Sequence, residues 1–223
     1  MAKGRIFVLD GLDGCGKTTQ FELLRDKLTE MNVSMQAVSF PEYDKPSAAL
    51  VKMYLGGDFA DSPDGVNAYA ASSFYAVDRY ASYKLYWEKA YSEGKLILAS
   101  RYTTSNAIHQ MSKLPESKWD EYLEWLEDYE YNKLGLPRPD CVVFLSLPLE
   151  ISQKLLSERY DGDEEKKDIH ESDLAYLNDC RRSAEYAAEK LGWHIIDCSE
   201  GGSIRSIESI HSELMKLYEE VNK

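Results

Sequence analysis

Eight residues constrain this chain more than any other stretch: Gly11-Leu12-Asp13-Gly14-Cys15-Gly16-Lys17-Thr18. They fit the spacing G-x-x-x-x-G-K-S/T. A short apolar run, Arg5-Ile6-Phe7-Val8-Leu9, precedes them and reads as a buried strand. Lys17 to about Asn32 follows with Phe21, Leu24 and Leu28 on one stripe, which predicts a helix. Strand, glycine loop and helix in that order form a cradle for anions. The glycines let the backbone curl so that successive N–H groups point inward. The helix adds the positive end of its dipole. Lys17 supplies a mobile cation, and the Thr18 hydroxyl suits Mg²⁺. Gly11, Leu12, Asp13, Gly14, Cys15, Gly16, Lys17, Thr18 and Thr19 are therefore the expected ATP-binding residues.

Beyond this loop, strand-like and helix-like segments alternate. Val33–Phe40, Leu96–Ala99, Cys141–Leu145 and Trp193–Asp197 read as further strands. Helices are expected near Ser47–Leu55, Val66–Ser92, Ser105–Met111, Lys118–Lys133, from Leu149, over Ser172–Leu191 and over Ser203–Val221. Near-continuous apolar strands joined by helical crossovers predict a parallel sheet covered on both faces. The expected fold is α/β: a three-layer α/β/α P-loop NTPase with a five-stranded parallel sheet. No linker or repeat divides residues 1–223, so a single domain is expected. The charged segment around 158–170 reads as a mobile lid.

The formal net charge of −13 argues against a nucleic-acid partner, which selects for a basic face. It also requires that the few cations gather wherever phosphate binds. No apolar run reaches the length of a membrane span, and the first residues do not form a secretory leader. The four cysteines make no CxxC pair, and the four histidines show no metal spacing. A cytoplasmic protein without a membrane partner is expected.

Several stretches in order resemble the thymidylate kinase family. They are Phe7 to Gln20, Ser39-Phe40-Pro41, Phe74-Tyr75-Ala76-Val77-Asp78-Arg79, Arg101-Tyr102-Thr103-Thr104-Ser105-Asn106, and Leu136-Pro137-Arg138-Pro139-Asp140 before a strand. The resemblance implies transfer of the γ-phosphate of ATP to dTMP, with Mg²⁺ as cofactor and a homodimeric assembly. It implies catalytic roles for Lys17, Arg101, Arg159 and Asp13. It places Asp13, Phe40, Pro41, Tyr75, Arg79, Arg101, Ser105, Asn106, His109 and Tyr160 around the acceptor. Tyr75, with Phe74 as substitute, would stack on the base. Arg79 stands four residues on and shares its helix face. A guanidinium only donates, so it suits the O4 carbonyl of thymine and opposes the amino group of cytosine. Arg101, at a strand end, would clamp phosphate. Arg159 would close over ATP from the lid.

Two positions depart from the family's pattern. Ser100 stands where an aspartate that helps place Mg²⁺ usually precedes the strand-end arginine; Thr18 and Ser100 are the expected metal contacts, with Asp10 or Asp13 as replacements for the missing carboxylate. Glu42 and Tyr43 occupy the places where an arginine usually follows Phe-Pro, with Lys45 as a substitute cation. These departures keep two other readings open: a kinase for dUMP or a modified pyrimidine, and a nucleotide-binding regulator without transfer activity.

Overall fold

The N-terminal apolar run forms β1 (Arg5–Gly11), buried from Ile6 onward. A computed structural model describes residues 3–159 and 174–221, apart from the side chains at 63, 158 and 159. Four more strands flank β1: β2 (Met35–Ser39), β3 (Leu96–Ser100), β4 (Cys141–Ser146) and β5 (His194–Asp197). Their order is β2-β3-β1-β4-β5, with every pairing parallel. The helices are α1 (Lys17–Glu30), α2 (Ala49–Leu55), α3 (Ala68–Ser82), α4 (Glu88–Ser92), α5 (Thr104–His109), α6 (Trp119–Glu127), α7 (Leu149–Arg159), α8 (Leu174–Leu191) and α9 (Ile207–Val221).

Alternation along β1 separates the two faces of the sheet. Phe7 and Leu9 pack with Leu24 and Leu28 of α1 and with Leu214 of α9. Ile6 and Val8 face the other way, against Trp87, Ala90 and Tyr102. Helix α8 adds Leu177, Cys180 and Ala184 around Phe144. This is the expected three-layer arrangement with helices on both faces.

Three local features differ from the sequence expectation. The helix expected over Val66–Ser92 is interrupted by a π turn at Tyr83–Trp87 between α3 and α4. The helix expected over Lys118–Lys133 ends in a second π turn, Asp128–Lys133. The helix expected from Ser203 begins only at Ile207, because a hairpin of β6 (Ser199–Glu200) and β7 (Ser203–Ile204) precedes it. Gly201 and Gly202 make the turn at φ 59° and 79°, the left-handed pair that a two-residue hairpin loop needs.

Candidate active site

The glycine loop connects β1 to α1 with Gly14 at φ 78° and Gly16 at φ 85°. Gly16 is the N-cap of α1; no described side chain caps the helix there, and its first turn carries no acidic residue. The orphan N–H groups of that turn are thus left for an anion. A Cβ at Gly14 would sit 2.7 Å from the Ser152 carbonyl oxygen and 2.9 Å from Leu156 Cγ. Helix α7 therefore fills the space that a side chain at 14 would need. Leu12 is buried beside Ile108 and Phe144 and anchors the loop from behind. Cys15 is buried in the core under the sheet, and burial pushes its thiol up despite the opposing charge of Lys17. Lys17 Nζ donates to the Gly11 carbonyl at 3.3 Å and lies 3.9 Å from Asp13. Thr18 and Thr19 are exposed on the first turn of α1.

Arg101 follows β3, with its backbone N–H donating to Leu9 O at 3.0 Å. Its φ is 63°, an uncommon conformation for a side chain of this size. Its guanidinium donates from Nη2 to Asp13, and Nη1 lies 3.1 Å from His109 Nε2 and 3.6 Å from Asp10 Oδ1. Burial alone would lower the Arg101 pKa, but the carboxylates of Asp13 and then Asp10 outweigh it and hold it above its ordinary value. Asp10 is fully buried and accepts from Gly11 N at 2.8 Å, Thr104 Oγ1 at 2.6 Å and Ser105 Oγ at 2.7 Å. It ties the glycine loop to the start of α5.

A cavity of about 320 Å³ opens between the glycine loop and α3. Asp13, Lys17, Thr18, Ser100 and Arg101 line one side; Phe40, Pro41, Tyr75, Arg79, Ser105, Asn106 and His109 line the rest. Every described acceptor residue expected from the sequence is therefore in one pocket. The cations Lys17, Arg79 and Arg101 converge there despite the negative total. Arg159 ends α7; its side chain, Tyr160 and the lid expected over 158–170 lie outside what is described.

Of the two candidate stacking rings, Tyr75 lines the cavity and meets Tyr54 edge-on at 6.3 Å. Phe74 packs against Phe59 with centroids 5.4 Å apart. The peptide bond Phe40–Pro41 is cis. Glu42 does not line the pocket: its backbone N–H donates to Asp78 at 2.9 Å and its carboxylate accepts from Ser82 Oγ at 2.9 Å. Lys45 is not a lining residue either; its ammonium sits 4.6 Å above the Tyr86 ring.

The sequence reading missed Ser39, Tyr43, Leu55, Tyr102 and Gln110 in the lining, and Glu130 behind it. Glu130 comes from the second π turn and is completely buried. Its Oε2 accepts from Arg79 Nε at 2.7 Å, and its Oε1 accepts from Arg79 Nη2 at 2.5 Å and from Asn106 Nδ2 at 2.9 Å. Burial opposes the charge of Arg79, yet Glu130 holds its pKa above the ordinary value.

A doubly wound parallel sheet, a phosphate loop at the end of its central strand, and two guanidinium groups in the adjoining pocket define a P-loop kinase of the nucleotide class. The sequence matches the family model described as "Thymidylate kinase" over residues 9–213. The chain belongs to the thymidylate kinase family. It is 27% identical over 220 residues to the thymidylate kinase of Schizosaccharomyces pombe, covering 99% of this chain and 94% of that protein. It is 26% identical over 221 residues to the human thymidylate kinase, covering 98% and 91%. The fold matches that of the Candida albicans thymidylate kinase with a TM-score of 0.71 at 20% identity, covering 98% of this chain and 92% of that one.

Proposed function

We propose that the chain transfers the γ-phosphoryl group of ATP to dTMP, giving ADP and dTDP, with the donor on the glycine loop and the acceptor in the adjoining cavity. The observation that carries this reading is the shared lining: Lys17 and Thr18 of the donor loop face the same space as Arg79, Arg101 and Asn106. The attacking phosphate oxygen of dTMP is already anionic, so no strong base is needed. Positioning and charge neutralisation supply the rate. Lys17 steadies the β- and γ-phosphates. Arg101 exchanges its carboxylate partner for phosphate oxygens and holds the two nucleotides in line. Tyr75 stacks on the thymine, and Arg79 donates to its O4. Asp13 stands between Lys17 and Arg101, beside the reacting phosphates.

The donor set fits Mg²⁺ held mainly by phosphate and water. Thr18 presents an exposed hydroxyl on the pocket wall and Ser100 a more buried one, while Asp10 is spent on its three hydrogen bonds. Among the described residues no three His, Cys, Asp or Glu side chains converge as a metal cage. Mg²⁺ commonly uses one or two protein oxygens with phosphates, so this sparse set suits it. When bound, the ion would neutralise phosphate charge.

The homodimer is proposed from α3 and the π turn after it, where Val77, Tyr80, Leu85 and Tyr86 are exposed, Leu85 to 70%. Light scattering that gives a monomer at micromolar concentration would remove it. A cytoplasmic site is proposed from the four unpaired cysteine thiols. Among the described residues no helix is long and apolar enough to cross a membrane.

A coupled ADP-release assay with and without dTMP, followed by dUMP and dCMP, tests the reaction. Release that depends on dTMP is expected. ATP binding without dTDP formation would refute transfer, and a preference for dUMP or dCMP would refute the acceptor.

A further inference from the structure

We propose that Glu130 sets the hydrogen-bonding polarity of the acceptor pocket, making it a specificity-determining positioning residue for a pyrimidine with an N3–H donor beside an O4 acceptor. The inference rests on the reading of dTMP as acceptor.

Glu130 never reaches the cavity, yet two residues that do are oriented by it. Asn106 spends both amide hydrogens behind the pocket wall, one on Glu130 Oε1 at 2.9 Å and one on the Ser72 carbonyl at 3.2 Å. Both partners only accept, so the amide cannot be turned over without facing oxygen to oxygen. The remaining polar atom of Asn106 is Oδ1, an acceptor. Glu130 also engages Nε and Nη2 of Arg79, and Nη1 belongs to neither bond. The wall therefore offers donors only from Arg79, two of them on Nη1, beside an acceptor from Asn106. Thymine and uracil present the complementary pair, O4 and N3–H. Cytosine presents the inverse, an amino group and a bare N3.

A neutral glutamine at 130 can satisfy only part of this. With its oxygen in the Oε1 place it keeps Arg79 Nη2 and Asn106 Nδ2, but its NH₂ then faces Arg79 Nε, donor against donor. With its oxygen in the Oε2 place its NH₂ faces both Arg79 Nη2 and Asn106 Nδ2, and Asn106 cannot turn over without setting its oxygen against the Ser72 carbonyl. Either way Arg79 loses the fork that holds it, and its donor leaves the O4 position. Glu130→Asp keeps the charge and both acceptor oxygens on a shorter side chain.

Steady-state kinetics with dTMP and dCMP as competing acceptors, at saturating ATP, test this. For Glu130→Gln the dTMP-to-dCMP ratio of kcat/KM is expected to fall about tenfold or more, because a buried polar mismatch discriminates strongly. The KM for ATP is expected to stay unchanged, and Glu130→Asp is expected to keep more of the dTMP preference than Glu130→Gln. An unchanged ratio in the glutamine variant, or a larger loss of preference in the aspartate variant, overturns the proposal. Where the glutamine variant does not fold, Glu130→Asp decides: turnover of both acceptors lowered in equal measure overturns it. A wild-type enzyme that fails to use dTMP would instead remove the acceptor assignment itself.

Discussion

The guanidinium of Arg101 donates to the carboxylate of Asp13, a residue of the phosphate loop. A residue from the end of β3 is thus bonded to the glycine loop. The aspartate holds the arginine in the pocket and offsets its charge. Arg101→Ala should lower kcat by about 10²–10³-fold, the usual cost of losing a donor aimed at developing charge. Arg101→Lys should recover only part, since an ammonium lacks the planar fork. Binding of an ATP analogue should change little in either variant. A kcat loss below about tenfold in the alanine variant would show that Arg101 does not clamp the reacting phosphates.

Gly14 is pinned between a left-handed backbone and helix α7. A methyl group there meets the Ser152 carbonyl at 2.7 Å while φ stays at 78°. Gly14→Ala should destabilise the protein by about 1–3 kcal/mol and weaken ATP binding, because either the loop or α7 must shift. Thermal melts with and without ATP analogue read both effects. A variant with wild-type melting temperature and affinity would contradict the packing.

Lys113 is held by Tyr54 Oη at 2.6 Å and Val66 O at 3.1 Å. Burial lowers its pKa to about 8, with Asp64 pulling weakly the other way. The folded value lies below the unfolded one, so the unfolded chain binds the extra proton between them. Stability contributed by this site must therefore rise as pH rises from about 8 towards the unfolded value. Relative to Lys113→Met, the wild type should gain on the order of 1–3 kcal/mol over that window. Denaturant unfolding of both proteins across the range measures the difference. A relative loss with rising pH would reverse the sign and refute the assignment.

The four thiols are buried, and burial pushes each of them up: Cys15 above its ordinary value, Cys141 to about 11, Cys180 to about 12 and Cys198 to about 12. None should react quickly with a disulfide reagent at neutral pH in the native state, and all four should react after denaturation. Fast labelling of Cys15 would mean that the phosphate loop opens far more readily than its packing implies.

The donor half of the site was legible because its chemistry is local. Eight consecutive residues between a strand and a helix fix the loop, and the chain needs no distant partner to form it. Arg101 was legible because it follows a buried strand at the edge where such sheets bind ligands. The place of Glu130 behind the pocket was not, because its contact with Arg79 spans 51 residues and is made from a π turn that helical periodicity does not reveal. The spacing to Arg79 favours Tyr75 over Phe74, and the structure puts Tyr75 in the cavity lining and Phe74 against Phe59. Glu42 read as a residue standing where an arginine usually follows Phe-Pro, and only the fold shows it turned towards Ser82. The Gly201-Gly202 hairpin carried a readable turn signal, but the apolar residues after it share the spacing of α9.

β1 and β3 are neighbours, and Leu9 pairs with Ser100 in register. The donor loop leaves one of these strands and Arg101 the other, one residue past that pair. Parallel strands lie about 4.8 Å apart, a spacing fixed by main-chain hydrogen bonds. The gap between the glycine loop and Arg101 is consequently gauged by the peptide ladder, so side-chain exchange in the surrounding layers leaves that spacing largely untouched.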